Sequence, residues 1–576
     1  MRRARTGWGR CVAALIAVLI AAVAAVPGAS ADWPVYGRDL ANSRDAGSDG
    51  PSPGQVGSLQ PAWTFHSATG DFTGTPVLAG GVLVAGNNEG WVYALDAITG
   101  RVLWSRNLGA QINGSVAIDV NGPGGPLAFV PVGQLGAPRL VALSLLDGSL
   151  RWDATLISHP GADVFGSPTF WHGSVYIGTS GPNNDNTTAR GSVVARDERT
   201  GHLRWQTFTV PPGSDGAAVW STPAIDAATG RLYVGTGNNY HAPTTDTEDS
   251  MMALDAATGQ ILGHFQATAN DSFSLPDNPA GPDYDFGASP NLLTGPGGQQ
   301  LVGEGQKSGT YWALDRATLK PVWSTQIGPG SGVGGLLGST AADGARIYGA
   351  DTASGQVFAL TTAGALAWES ADSGGLHWGP STLAHGVLYT VDPSGALVAR
   401  DPASGTILAR LGLGGPSFGG VGAAGGAIYA GVGTGPPPAP APQQDGPGSI
   451  VAFGDTSHSG GTQLTSALRA TGQSGRPGGG LSGPSRPGIT RGRLKLAVRP
   501  RRTRVGSLTS FAFRVTTGGG KPAPRAVIRF AGRRRHASAA GTARIVTRLP
   551  RAGRFTARAT KPGFLSGRIR VRARRP

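Results

Sequence analysis

The chain has 576 residues, more than one ordinary domain holds. Glycine (94) and proline (43) are abundant, 39% of residues are hydrophobic and only 14% are charged. Such a composition fits short strands and tight turns around packed cores, and it excludes a disordered chain or a set of solvated helices. The net charge of +15 hides an asymmetry: between Asp32 and Asp455 there are 17 basic residues against 34 acidic ones, whereas Arg491 to Pro576 holds 25 Lys and Arg with no Asp or Glu. An acidic body and a basic tail speak about partners, not about fold.

In chain order, the first element is an export signal over residues 1–31. Arg2, Arg3 and Arg5 precede an apolar run from Val12 to Val26, and Ala29-Ser30-Ala31 offers a small-residue cleavage site. The run is short for a spanning helix, which needs ~20 apolar residues. The expected location is therefore secreted or extracytoplasmic, in the cell envelope. The one cysteine, Cys11, lies inside this signal. Disulfides, cysteine-ligated metals and haem attached through Cys-x-x-Cys-His are then excluded, and no haem is expected.

Over residues 32–454 one phrase keeps returning: an alternating apolar strand, an acidic residue, a Gly turn, then a strand closing on an aromatic. Its clearest copy is Val92-Tyr-Ala-Leu-Asp96-Ala-Ile-Thr-Gly100-Arg-Val-Leu-Trp104. Others centre on Val141 to Trp152, Val193 to Trp205, Met252 to Gly259, Trp312 to Trp323, Val357 to Trp368 and Val398 to Gly405, with a half-copy at Ile450 to Phe453. Each copy reads as a hairpin in which Asp and Thr satisfy turn amides, Gly takes the positive φ, and the Trp packs between neighbouring sheets. Most have a further strand pair upstream, such as Gly173 to Gly178. Four strands every 40–60 residues or so describe propeller blades, eight of them if Pro61 to Phe65 completes the last and so closes the ring. The fold class expected is all-β: an eight-bladed β-propeller, whose repeats resemble the quinoprotein type, followed by a small immunoglobulin-like β-sandwich.

Residues 433–447 read as a long loop before the last strand. Residues 455–492, rich in Gly, Ser and Pro, read as a linker. From 493 to 576 strand alternation resumes at hairpin spacing, as in Phe511-Ala-Phe-Arg-Val515, with arginines at many outward positions. This suggests the immunoglobulin-like sandwich.

Four stretches carry a more particular resemblance. They are Ala217-Ala-Val-Trp220-Ser-Thr-Pro223, Gly235-Thr-Gly-Asn238-Asn239-Tyr240, Gly281-Pro-Asp283-Tyr-Asp285-Phe-Gly-Ala-Ser-Pro290 and Gly305-Gln-Lys307-Ser-Gly-Thr-Tyr311. With the repeats, they resemble pyrroloquinoline quinone-dependent alcohol dehydrogenases, and most of all their poly(vinyl alcohol) dehydrogenase-like branch. The resemblance implies that Trp220 is the flat floor on which the quinone stacks. It implies that Asn238 is an amide ligand of Ca²⁺. Asp283 would be the general base and a second metal contact, with Asp285 as alternate. Lys307 would polarise the quinone oxygens. Structural readings stand beside these: an inter-blade Trp, an Asn-Asn turn, and a loop Asp accepting turn amides.

The sequence also departs from that pattern. Asn183 falls where the family supplies a Glu to calcium, with Asp185 the nearest carboxylate. Gln111-Ile-Asn113-Gly-Ser115 has no Arg where the family pairs one with the quinone carboxylates. Gly330-Ser-Gly-Val-Gly-Gly335 matches G-x-G-x-x-G but precedes no helix pattern, so a dinucleotide site is set aside.

Two functions are then in view. One is an exported dehydrogenase that oxidises an alcohol or polymer substrate with pyrroloquinoline quinone and Ca²⁺ and passes electrons to a separate acceptor. The other is a non-catalytic scaffold or binding propeller of the cell envelope that has lost the cofactor. In either case the basic domain suits an anionic cell-surface polymer, phospholipid headgroups or the chain's own acidic propeller, and no nucleic acid is expected, because its arginines recur along strands instead of forming one helix or run.

Overall fold

The computed structural model describes residues 32–574 except 182–186, 276–280, 333, 372–376, 393, 435–446, 459–493, 518–519, 525, 532 and 561–566. The expected export signal, most of the linker, the centre of the 433–447 loop, and Asn183 with Asp185 therefore lie outside the described residues. The chain divides into two compact units, Met1–Gly475 and Arg476–Pro576. Among the described residues there is no α-helix, and no helix is long and apolar enough to cross a membrane.

The first unit is the all-β propeller that the repeats predict. Eight four-stranded antiparallel sheets are present among its described residues. Seven are contiguous in sequence, spanning 77–107, 117–155, 169–208, 224–266, 291–326, 341–371 and 382–412. The eighth takes Val421–Ala424, Ala427–Gly431 and Ser449–Gly454 from the end and Pro61–His66 from the beginning. Phe65 opposite Ile450 and His66 opposite Ser449 set that closing register.

The turn chemistry is local and repeats. Asp96 Oδ1 accepts from both the amide and the hydroxyl of Thr99 at 3.0 Å. Asp197 with Thr200, Asp255 with Thr258 and Asp315 with Thr318 do the same. At the following position Gly100 sits at φ 69°, where a side chain is strained.

The closing Trp explains the spacing between repeats. Trp104 donates its indole N–H to Leu145 O of the next sheet at 2.8 Å, and its ring lies where a Cβ on Gly148 would be. The same pairing joins Trp63 to Gly100, Trp152 to Gly201, Trp205 to Gly259, Trp323 to Gly364 and Trp368 to Gly405. Two junctions lack it. Between the fourth and fifth sheets Gly263 stands at the Trp position and Leu319 at the turn Gly, an exchange of bulk across one contact. Between the seventh and eighth, Ala409 replaces Trp and Val56 of the N-terminal segment fills the core.

Around the axis the entry to each inner strand is small-residue-rich, so backbones approach closely. Gly74 lies beside Gly114, Gly114 beside Gly166, Gly166 beside Ser221, Gly338 beside Gly379, Gly379 beside Gly419, and Gly419 beside Gly74. Hydroxyls stitch the same layer: the amides of Ser115, Ser167, Thr222 and Ser289 donate to the side chains of Ser167, Thr222, Ser289 and Ser339 in turn.

One element had no repeat signal. The segment from Trp33 to Gly47 winds past the inner strands, pairing by backbone with Leu78, Ile118, Ile225, Leu292, Ala342, Leu383 and His385. Fully buried Arg44 donates to Ser381 O at 2.7 Å and Thr382 Oγ1 at 2.9 Å, and Asn42 donates to Thr222 O and Pro290 O at 3.1 Å.

The second unit has a three-stranded sheet (Lys495–Arg499, Thr509–Thr516, Thr542–Thr547) and a five-stranded one (Arg502–Arg504, Gly567–Arg574, Gly553–Thr560, Val527–Phe530, Arg533–His536). Phe511 and Phe513 of the first meet Phe530 of the second at 4.9 and 5.4 Å between centroids, in one shared core.

Candidate functional site

Three of the four singled-out side chains meet at the fourth–fifth junction. Trp220 precedes the inner strand of the fourth sheet, and a methyl group on Gly287, which precedes that of the fifth, would overlap its six-membered ring. Glycine there leaves room for the indole at the junction. Lys307 comes from the turn between Gln300–Gly305 and Thr310–Asp315, and its Nζ lies 5.6 Å from the Trp220 ring centroid.

Asp283 and Asp285 approach from the connection between the two sheets. Lys307 Nζ contacts Asp283 Oδ1 and Asp285 Oδ2, each at 2.8 Å, and all three residues are buried. Burial alone would lower the lysine pKa. The carboxylates of Asp285 and Asp283 outweigh it, so the ammonium is held above its ordinary value.

Asn238 is joined to this group through its backbone. Its amide N–H donates to Asp285 Oδ1 at 2.8 Å, and its side-chain Nδ2 donates to Asn239 O and Phe273 O at 2.6 and 2.7 Å.

The backbone of Asp283 takes a left-handed conformation, φ 58°, unusual for a residue with a side chain. Asp271 holds it there: its two carboxylate oxygens accept from the amides of Asp283 at 3.3 Å and Tyr284 at 2.8 Å. Sequence reasoning missed Asp271, which sits in a loop without pattern. It also missed Asp249, fully buried and raised well above the usual carboxylate range, by burial first and then by the charges of Asp285, Asp271 and Glu248. Glu304, likewise raised by burial, has neither carboxyl oxygen hydrogen-bonded. Gly287 was inside a quoted motif, but its role needed the partner ring. Just before the second sheet Asn113 occupies the position without Arg, and its Oδ1 is buried without a hydrogen bond.

A flat floor with an ammonium beside it fits a planar, anionic quinone. Calcium fits less well. It takes six to eight oxygens, while Asp283 and Asp285 already share an ammonium. Among the described residues no group of three or more His, Cys, Asp or Glu side chains is placed to hold a metal ion.

The ring of sheets and its likeness to known proteins identify a pyrroloquinoline quinone-dependent alcohol dehydrogenase-like β-propeller. The PQQ_2 family model, described as outer membrane protein assembly factor BamB, matches residues 55–262, 189–373 and 247–431, and the chain belongs to this family. It is 30% identical over 348 residues to a polyvinylalcohol dehydrogenase of a Pseudomonas species, covering 55% of this chain and 54% of that protein. It is 28% identical over 286 residues to a quinohemoprotein alcohol dehydrogenase of Comamonas testosteroni, covering 42% and 40%. The chain thus spans about half the length, or less, of these relatives. The crystal structure of quinohemoprotein alcohol dehydrogenase from Comamonas testosteroni matches with a TM-score of 0.62 at 20% identity, over 74% of this chain and 80% of that one, a likeness of fold alone.

The expectation of no haem is corrected by this finding, because quinohemoproteins stand among the relatives. That expectation rested on counting cysteines. A cysteine count addresses only covalent attachment within this stretch, and the match leaves more than half of the Comamonas relative uncovered.

Proposed function

We propose that the chain is an exported quinoprotein-type dehydrogenase that oxidises an alcohol, polymeric alcohols included, with pyrroloquinoline quinone, and that electrons leave to a separate acceptor. The observation that carries this reading is the Lys307 ammonium, 2.8 Å from both Asp283 and Asp285 and over the Trp220 ring. Bound quinone supplies the hydride acceptor. Trp220 holds the flat ring and Lys307 orients its oxygens. The Asp283 carboxylate, in contact with that ammonium, takes the substrate hydroxyl proton. Asp271 fixes the backbone that aims Asp283, and Asp285 anchors the Asn238 loop. Burial keeps water from competing for these groups.

In this reading residues 1–31 direct export, 32–454 form the dehydrogenase propeller, 455–492 the linker and 493–576 an immunoglobulin-like module. The module attaches the protein to an anionic cell-surface polymer.

The test is titration of the full chain with pyrroloquinoline quinone, with and without Ca²⁺, following quinone absorbance and melting temperature. A ligand that binds only the folded state raises its stability. Saturable binding that is lost in Trp220→Ala, and alcohol oxidation that is lost in Asp283→Asn with binding retained, are the expected results. Binding should not depend on Ca²⁺, since Lys307 already balances the carboxylates. No binding at high micromolar quinone overturns the reading. It would leave the second one, a binding propeller, which is favoured by the pairing of Lys307 with its own carboxylates.

A further inference from the structure

The outer face of the five-stranded sheet in the C-terminal unit carries arginines in register. Arg502 pairs with Arg572, and Arg572 with Arg554, giving a row of three across three strands. Arg568 pairs with Arg558, and Arg558 with Arg529, giving a second row. All six are exposed, while the alternate positions, such as Val571, Ala557 and Ile528, are buried in the core.

Like charges directly opposite on neighbouring strands destabilise a sheet. Strands lie about 4.8 Å apart, and residues two apart on a strand are separated by about 6.7 Å. This unit cannot relieve the repulsion itself, because no Asp or Glu occurs from Arg491 to Pro576. The missing counter-charge has to come from outside the module.

We infer that this arginine face is the docking surface for a linear phosphodiester polyanion, which deepens the attachment reading above. Of the 25 basic residues in this stretch 22 are Arg and three are Lys, and the guanidinium fork suits oxyanions where the ammonium acts only as a point charge. The diverging oxygens of a tetrahedral phosphodiester accept from guanidinium groups on two adjacent strands, whereas a planar carboxylate is filled by one fork. Along Gly567–Arg574 every second residue is an exposed arginine, a track that suits an extended chain. A bilayer is disfavoured. Interfacial binding combines basic with inserted apolar residues, and among the described residues of this unit the exposed large apolar side chains, Leu508 and Val546, are not on these five strands.

The experiment uses the full chain and poly(glycerol phosphate) as probe, with affinity read at several salt concentrations. One variant, R502Q/R554Q/R572Q, removes a row. A control, R499Q/R514Q/R544Q, removes three exposed arginines of the three-stranded sheet and so changes net charge equally. The row variant should weaken binding about tenfold or more and lower the slope of log affinity against log salt by about two, at ~0.7 per phosphate contact. The control should weaken binding less than threefold. Both should melt no lower than wild type, since repulsion is removed. Equal loss in both variants overturns the face, and absence of wild-type binding overturns the attachment reading itself. Equal affinity for polyglutamate of the same charge overturns the phosphate chemistry. Tighter binding to phosphatidylglycerol vesicles replaces the polymer by a membrane.

Discussion

Six of the blade junctions are built one way and the fourth–fifth junction another. At the six, a Trp ring covers the turn glycine of the next sheet and its N–H caps that turn's carbonyl, so bulk and polarity are both satisfied by one residue. At the fourth–fifth junction Gly263 and Leu319 exchange these sizes. The indole and the charges appear elsewhere in the same junction, near the axis: Trp220 against Gly287, with Lys307, Asp283 and Asp285 beside it. The rule is broken at two junctions, and only one of them gathers charges: between the seventh and eighth sheets Ala409 and Val56 simply fill the core.

The largest effect should come from removing the cation of the exceptional junction. Lys307→Met leaves two buried carboxylates without their partner, and loss of one member of a buried ion pair costs about 4 kcal/mol. Urea denaturation should show this as a lower midpoint, with quinone binding lost as well. A stability within 1 kcal/mol of wild type would mean that the three groups are not the buried cluster described.

A regular junction should respond in stability alone. Trp205→Ala removes a ring packed on Gly259 together with its bond to Ala256 O, and truncating a buried Trp costs about 3 kcal/mol. Quinone affinity, measured on the folded fraction, should stay unchanged. If affinity fell as far as in Trp220→Ala, the two kinds of junction would not be functionally distinct.

Gly287→Ala sharpens the contrast on the site side. The added methyl displaces the Trp220 ring, and overpacking of this kind costs about 2 kcal/mol at most when a side chain can move aside. The floor would be tilted, so quinone affinity should drop at least tenfold while the melting curve shifts little. An unchanged affinity would remove Trp220 from the binding surface.

How far these differences were readable in the sequence follows from their range. The Asp-x-x-Thr-Gly turn and the closing Trp act over a few residues or on the neighbouring repeat, so their period announces the propeller. Trp220, Asp283 and Lys307 were legible through resemblance, and the structure brings them together. The Trp33–Gly47 segment was not legible: it is an extended stretch without alternation, and its partners lie up to several hundred residues away. Asp271 was hidden for the same reason, since its meaning lies in two amides of a later loop. Leu319 in place of the turn glycine was passed over, because only its contact with Gly263 gives it meaning.

The smallest effect tests whether a regular junction can also carry a titrating group. In the second–third junction the carbonyl that caps Trp152 belongs to Glu198, whose carboxyl is pushed up to about 8, by burial first and then by its hydrogen bond and repulsion with Asp119. At the other Trp junctions the capping carbonyls belong to Ala97, Leu145, Ala256, Thr362 and Pro402, which do not titrate. A carboxyl with a raised folded pKa favours the neutral form in the fold. The stability it contributes is complete below the unfolded value of 4.5 and is lost as pH rises through about 8. Glu198→Gln should therefore match wild type at pH 4 and exceed it by on the order of 1 kcal/mol at pH 9, read from urea midpoints at the two values. The opposite sign, with the variant weaker at pH 9, would mean that Glu198 is ionised and paired in the fold. Burial would then not be what sets its charge.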